Sequence, residues 1–309
     1  MGQTTGIEWT DATWNPVRGC SRVSEGCRNC YAERTAARFS KSDLENNNNG
    51  DQPFHGFVTR VNGHPAWTGK VELVEKHLHD PLHWKKPRRI FVNSMSDLFH
   101  EALLDTDIIA VFRVMGACPQ HTFQVLTKRP ERMLELLSQR RWRDLGQGYF
   151  APLIRNEGCD GDARYLPNVW LGVSVEDQAT ADERIPLLLQ TPAAVRFVSY
   201  EPALGPVYLL PVCTGLDWVI VGGESGPGAR PFDLKWARST IEQCKAAGVA
   251  CFVKQFGAKP FYRPEYPNGN TKGETAFLDL KSKKGGDWDE WPADLRVREF
   301  PEVRDAARV

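Results

Sequence analysis

An α/β fold, a partial or complete parallel β/α (TIM-like) barrel with a small C-terminal β appendage, is the class this sequence predicts. Three observations predict it. Short continuous apolar runs alternate with helical patterns, and parallel strands read as such runs because helices cover both of their faces. Run after run stops at polar or charged residues, the ends at which β/α proteins build their sites. The chain of 309 residues suits one such domain. A doubly wound open sheet is the alternative.

The elements follow in order. Trp9 to Pro16 is aromatic and Thr-rich, a first strand running into a cysteine-bearing loop, and Tyr31 to Phe39 reads as a helix. Residues 40–63, with Asn46 to Asn49 and Gly50, read as a flexible insertion. Val71, Leu73, Val74 and Leu78 precede Asp80-Pro81, which ends that segment. A regular rhythm then begins. Arg89 to Ser94 is a strand and Asp105 to Cys118 a helix burying Ile108, Ile109, Phe112, Val114 and Met115. Thr122 to Thr127 is a strand, and Pro130 opens the next helix. Residues 144–167 are Gly- and Asp-rich and read as an inserted loop. Strands are expected at Val169–Val175, Val195–Tyr200, Trp218–Val221 and Val249–Val253, with helices near Ala179–Leu189 and Leu234–Ala247. The connection from Glu201 to Leu216 has no helical pattern. From Gly257 onward turn residues alternate with aromatics, so residues 1–256 are expected to form the barrel and 257–309 the appendage. Turns are expected at Pro267–Asn270 and Lys284–Asp287.

Composition narrows the classes. The apolar share of 41%, the charged share of 25% and a net charge of zero describe an ordinary globular chain with no bulk preference for nucleic acid or anionic membranes. No apolar run approaches the roughly 18 residues of a membrane span, and the N-terminus lacks signal-peptide features. A cytoplasmic protein is expected. The eight cysteines are not spread like a disulfide framework, and in a reducing compartment clustered thiols more often hold metal.

Cys20, Cys27 and Cys30 form that cluster, spaced C-x6-C-x2-C at the start of a helical pattern. A closed structural zinc site takes four ligands, whereas three leave one position open for chemistry. Cys159, in the Gly/Asp-rich insertion, is the available fourth thiol. Cys118, Cys213, Cys244 and Cys251 sit in apolar patterns as small core residues. His77, His79 and His83 read as surface or core histidines with no carboxylate partner. Trp9, Trp14, Trp67 and Trp84 read as packing residues.

The strand ends carry Ser96 and Asp97, Lys128 and Arg129, Ser174 and Glu176, Ser199 and Glu201, Glu224 and Ser225, and Lys254 and Gln255. All of these, with the cysteine loop, are expected around one cavity. Gly222 and Gly223 let a backbone approach a ligand closely, and Glu224 accepts hydrogen bonds from an ammonium group or from ribose hydroxyls. Arg230 suits a carboxylate or phosphate, and Lys128-Arg129 suits an anionic substrate group. Glu201 and Glu176 are either acid/base groups or salt-bridge partners of these cations. The basic run Lys85 to Arg89 is either a solvated loop or a contact to a phosphate backbone.

Several of these motifs carry a family resemblance. Glu8-Trp9-Thr10-Asp11-Ala12-Thr13-Trp14-Asn15-Pro16, with Gly19-Cys20, Gly26-Cys27 and Cys30-Tyr31-Ala32-Glu33, resembles a phage and prophage protein family named for its phage origin. Phe91–Phe99, Gln124–Pro130, Trp170–Glu176 and Trp218–Gly226 match it as well, so the resemblance runs to about Gly257. That family is similar to divergent radical S-adenosylmethionine (SAM) enzymes, spore photoproduct lyase among them. The resemblance implies a [4Fe-4S] cluster on Cys20, Cys27 and Cys30, with SAM chelating the open iron. An electron donor and cleavage of SAM to a 5′-deoxyadenosyl radical follow from the same resemblance. It places Ser94, Ser96 or Asp97 at the SAM amino group. The remaining cofactor-binding set is Tyr31, Gly222, Gly223, Ser225, Arg129 and Lys254, with Glu224, Glu201 and Lys128 as catalytic candidates. The chain departs from the usual C-x3-C-x2-C spacing. Tyr31 follows the third cysteine where an aromatic residue usually precedes it, and the Gly-Gly-Glu element comes after a late strand.

Three functions are compatible with these residues. The first is a radical-SAM-like enzyme acting on nucleic acid in lesion repair or base modification. The second is a non-catalytic iron–sulfur or zinc module that recognises nucleic acid or a phage or host protein. The third is a barrel enzyme using Glu224, Glu201 and Lys128, with a structural cysteine cluster.

Overall fold

Strand order and chain order coincide in the main sheet, and this decides the fold class. The computed structural model describes residues 5–40, 53–138, 164–263 and 275–302, with the short strand Ile154–Arg155. The chain enters through β1 (Ala12–Trp14) and β2 (Val17–Arg18), makes a 3-10 turn at Glu25–Cys27 and forms α1 (Tyr31–Arg38). β3 (Val58–Val61) and β4 (His64–Trp67) form a hairpin, β5 (Glu72–Leu73) pairs with β2, and α2 (Glu75–Leu78) leads to β6 (Arg89–Val92). Next come α3 (Asp105–Gly116), β7 (Thr122–Thr127), α4 (Pro130–Ser138), the paired β8 (Ile154–Arg155) and β9 (Arg164–Tyr165), and β10 (Val169–Val175). The remainder is α5 (Gln178–Gln190), β11 (Val195–Tyr200), α6 (Leu210–Cys213), β12 (Trp218–Gly222), β13 (Phe232–Asp233), α7 (Leu234–Ala247), β14 (Ala250–Gln255), β15 (Pro260–Tyr262) and β16 (Ala276–Phe277).

Among the described residues seven strands join one sheet in the order β1-β6-β7-β10-β11-β12-β14. The sheet is all-parallel. Its order never reverses, so it has no switch point of the doubly wound kind. The fold class is the partial parallel β/α barrel. The chain divides within β10 into two compact units, the first ending at Gly172 but including Gln190–Ala194, the second built from Val173–Leu189 and Val195 onward.

In the first unit, aromatic residues at the strand starts and ends fill the core. Trp9 packs on Phe91 at 4.7 Å between ring centroids and Trp14 on Phe123 at 5.8 Å. The predicted core residues of α3, Ile108, Ile109, Phe112, Val114 and Met115, are all buried. The insertion expected to be flexible differs from that reading. Residues 41–52 lie outside the described residues, but Phe54 and Phe57 are buried in a cluster with Ala32, Ala36 and Met95, against which Cys30, Val58 and Trp67 pack. Single aromatics among polar residues carry no period, so only the apolar face of α1 that they cover reveals them. His77 also departs from the sequence reading: its Nδ1 lies 3.0 Å from Asp80 Oδ2.

The second unit repeats the logic with other residues. Asp233 caps α7, its side chain accepting from the Lys235 amide at 2.9 Å, and Gly248 ends the helix at φ 69° as N-cap and C-cap chemistry require. The connection after β11, which shows no helical pattern in sequence, holds a single helical turn, α6. The chain beyond Gly257 adds β15 and β16 to β13 in a three-stranded sheet, and Trp291 stacks on Phe256 at 4.3 Å. The turn expected at Pro267–Asn270 lies outside the described residues. Cys118, Cys213, Cys244 and Cys251 are buried, as their apolar surroundings predict. Among the described residues no helix is long and apolar enough to cross a membrane.

Gly19 is the glycine on which the cysteine loop turns. Its φ is 86°, and a Cβ there would lie 1.9 Å from the Lys70 carbonyl oxygen and 2.7 Å from a Phe57 ring carbon. Gly19→Ala therefore meets both left-handed strain and a backbone clash. The expected loss is at least about 1–3 kcal/mol, read as a lowered denaturant midpoint at unchanged slope.

Candidate metal centre

The loop from Gly19 to Tyr31 leaves the first sheet strands and returns as α1. Cys20 follows the Gly19–Ser96 bridge, Cys27 closes the 3-10 turn, and Cys30 is the residue before the first turn of α1. All three are free and half-buried. Burial pushes the Cys20 thiol up to about 12, reinforced by Asp97 and by the other two cysteines and opposed by Arg129. Burial raises Cys30 too, while the amides of Glu33 and Ala32 pull it down, the effect expected of a helix N-terminus on a sulfur. Among the described residues no group of three or more His, Cys, Asp or Glu side chains is already spaced to hold a metal ion. The donor chemistry nevertheless fits a soft or borderline metal: three thiols in one loop, electrostatically coupled, with a helix start behind one and a guanidinium beside another. A cation binding there must displace the thiol protons.

Several contacts fix this loop. Arg22 grips the buried Glu33 carboxylate of α1 through Nε at 2.8 Å and Nη2 at 2.6 Å, and Glu33 also accepts from the Trp67 amide of β4 at 3.1 Å. Tyr31 donates its hydroxyl to the Ser94 carbonyl. Ser94 donates to Asn15 Oδ1 at 3.1 Å, and Ser96 to the Val17 carbonyl at 3.0 Å. Asn93, between β6 and these serines, has φ 60°, and both its side-chain nitrogen and oxygen are buried without a hydrogen-bond partner.

Arg129 and Asp97 form the fixed core of the site. Asp97 is buried and accepts from the Phe99 amide at 3.0 Å, Thr127 Oγ1 at 2.7 Å, the Lys128 amide at 3.0 Å and Arg129 Nη1 at 3.1 Å. The Arg129 side chain donates from Nε to Glu101 at 2.7 Å and from Nη2 to the Ser21 hydroxyl and carbonyl at 2.7 and 3.3 Å. Its Nη1 also lies 3.9 Å from Cys20 Sγ. Burial works against the charge, but Asp97 and Glu101 hold it well above the ordinary guanidinium range. The sequence reading offered Arg129 to an anionic substrate group. In the structure the protein itself engages it.

Ser21, His100, Glu101, Arg22 and Glu33 escaped the sequence reading. Glu33 ends a motif of the family resemblance but has no role there, and the others come from separate segments that only the tertiary structure joins. The basic run also has a definite place. Lys85 and Lys86 are exposed, but they precede β6, whereas the cysteine loop follows the C-terminal ends of β1 and β2. Because β1 and β6 run parallel, the run lies at the N-terminal ends of these strands and the loop at their C-terminal ends. Arg89 pairs with Asp11 at 3.1 Å.

In the second unit the strand-end charges are paired. Lys254 Nζ donates to both Glu201 oxygens at 2.7 Å. Glu224 is buried and accepts from the Arg230 amide, Nε and Nη2 at 2.9, 3.0 and 2.7 Å. Glu176 pairs with Arg184 at 3.2 Å, both buried. The salt-bridge reading of Glu176 and Glu201 thus holds with different cations from those expected, Arg184 and Lys254. Gly222 and Gly223 pack against protein. The Gly223 amide donates to the Gln255 carbonyl at 2.9 Å, and a Cβ on Gly223 would lie 2.2 Å from the Phe256 carbonyl oxygen. A cavity of 370 Å³ opens beside the neighbouring loop, lined by Gly226, Pro227, Gly257, Pro260, Leu280 and Lys283 among others. Cys159 lies outside the described residues.

His100 supplies a pH test of this centre. Its Nδ1 accepts from the Ala102 amide at 3.1 Å, so Nε2 carries the proton and donates to Ser21 Oγ at 2.8 Å. Burial and then Arg129 hold His100 below its ordinary value, against Glu101 and Asp97. The unfolded chain therefore binds this proton more readily. The stability due to neutral His100 is complete above about pH 6.5 and is lost as pH falls from there toward the lower folded value. Urea titrations from about pH 5 to 7.5 are expected to show a smaller pH dependence for His100→Gln than for the wild type.

A family model described as a protein of unknown function (DUF5131) matches residues 4–292. No curated protein and no solved structure matches the chain.

Proposed function

The chain belongs to the DUF5131 family, and we propose that it is an iron–sulfur protein of the radical-SAM-like kind. Its [4Fe-4S] cluster would be held by Cys20, Cys27 and Cys30. The observation that carries this reading is the three-cysteine loop itself, beyond the C-terminal end of β1, the first strand of the parallel β/α sheet, with a buried guanidinium beside Cys20. A cluster held by three thiolates transfers single electrons and leaves one iron open to a further ligand, here SAM.

The chain's own residues have distinct tasks in this reading. Gly19 lets the loop turn, Arg22 and Glu33 tie it to α1, and the start of α1 favours the Cys30 thiolate. Ser94 and Ser96 donate their hydroxyl hydrogens to Asn15 and Val17, so their remaining lone pairs suit an ammonium group. Asp97, saturated by four donors, acts through Arg129 and Lys128 rather than on SAM directly. Nucleic acid as substrate, in lesion repair or base modification, rests on the resemblance alone, because the exposed basic run lies at the opposite, N-terminal ends of the strands. An electron donor and a reducing, cytoplasmic setting are part of the same proposal.

Anaerobic purification followed by iron, sulfide and zinc analysis tests it. The expected result is about four iron and four sulfide per chain, a cluster spectrum perturbed by SAM, and loss of the cluster in Cys20→Ala, Cys27→Ala and Cys30→Ala. One zinc without sulfide would instead favour a non-catalytic module, and a cluster indifferent to SAM would sink the enzymatic part.

A further inference from the structure

Arg129 has every donor engaged, in the cysteine loop or in the segment after β6. A guanidinium carries five N–H groups. Nε meets Glu101, the two Nη2 hydrogens meet the hydroxyl and carbonyl of Ser21, and Nη1 meets Asp97 and the sulfur of Cys20. No donor is left over for a substrate anion. The planar fork is also held from two separate segments. Asp97 belongs to the segment after β6, Glu101 follows in the same segment, and Ser21 is the neighbour of Cys20. Ser21 is itself braced by His100, whose proton its hydroxyl oxygen accepts at 2.8 Å. The position of the fifth N–H at Cys20 is therefore imposed by the other four.

We infer that Arg129 is a positioning residue for the metal centre. It is a built-in hydrogen-bond donor and counter-charge to the Cys20 sulfur that sets the reduction potential of the cluster held there. The inference rests on the iron–sulfur reading. Its physical basis is general: hydrogen bonds to ligand sulfurs and nearby charge are among the terms that set cluster potentials. Reduction adds one negative charge to the cluster. A fixed positive charge and an N–H aimed at sulfur stabilise the reduced form more than the oxidised one, and burial keeps water from screening the difference. Removing them moves the potential downward. Asp97, Glu101, Ser21 and His100 act one step further out, by holding the fork in place.

The test is a redox titration of the full chain, reconstituted anaerobically, as wild type, Arg129→Lys and Arg129→Met. Iron and sulfide content and circular dichroism are measured on each. Arg129→Met leaves Asp97 buried without its counter-charge and is expected to lose stability; the folded variant is expected to lower the reduced-to-oxidised ratio at a fixed potential by about tenfold, which is 59 mV for one electron. Loss of the cluster from a folded Arg129→Met chain also supports the inference. Arg129→Lys keeps a charge but has no fork, so a smaller shift in the same direction is expected, and it serves as the readout if the methionine variant fails to fold. Variants that hold a full cluster at the wild-type potential overturn the assignment. A wild-type chain that takes up no iron and sulfide fails at the functional reading instead, and the inference falls with it.

Discussion

The pairing of Arg129 with Asp97 is the constraint around which the first unit is arranged. Both side chains are almost inaccessible to solvent, at 6% and 8% exposure. Two charges taken out of water are tolerated only where their remaining hydrogen-bonding capacity is met in full. Here the remaining capacity is met by the Phe99 and Lys128 amides, the Thr127 hydroxyl, Glu101, Ser21 and Cys20. That demand ties three segments together: the turn after β6, the end of β7 at the start of α4, and the cysteine loop. None of the three needs to be stiff by itself. The geometry of one guanidinium and one carboxylate supplies the register among them.

The cysteine loop is held from its other side by a second device of the same kind. Glu33 sits buried on α1, and Arg22 closes on it with a two-pronged grip. The hairpin of β3 and β4 then covers α1, with Phe54 and Phe57 supplying the apolar contact and the Trp67 amide supplying a donor to Glu33. A segment with insertion-like composition thereby supports the helix that carries Cys30. Gly19 permits the sharp entry into the loop because a side chain there has no space.

In the second unit the charged residues at the strand ends bind one another. Glu201 with Lys254, Glu224 with Arg230, and Glu176 with Arg184 form three ion pairs, and the glycines between them serve backbone packing. A charged residue at the end of a parallel strand has two ways to avoid an unpaired, partly dehydrated charge: a ligand or a neighbour of opposite sign. Composition and spacing do not distinguish these, since both require the same residue at the same position.

The sequence by itself determined the fold class, the positions of the main strands and the placing of three cysteines in one loop. Each is a local property. A buried parallel strand must be a continuous apolar run, Asp233 and Gly248 cap α7 through their own chemistry, and Cys20, Cys27 and Cys30 fall in one loop because they lie within eleven residues of chain. The tertiary structure decided which charges are partners. Arg129 with Asp97, Arg22 with Glu33, and Lys254 with Glu201 are choices between many sterically equivalent candidates. It also decided that the basic run and the cysteine loop occupy opposite ends of the first sheet strands. A hydrogen bond between segments a hundred residues apart, such as that from Arg129 to Ser21 at a separation of 108, leaves no period or spacing in the chain. It exists only because parallel strands, whose helical connections bring every C-terminal end to one edge, deliver both residues to the same place.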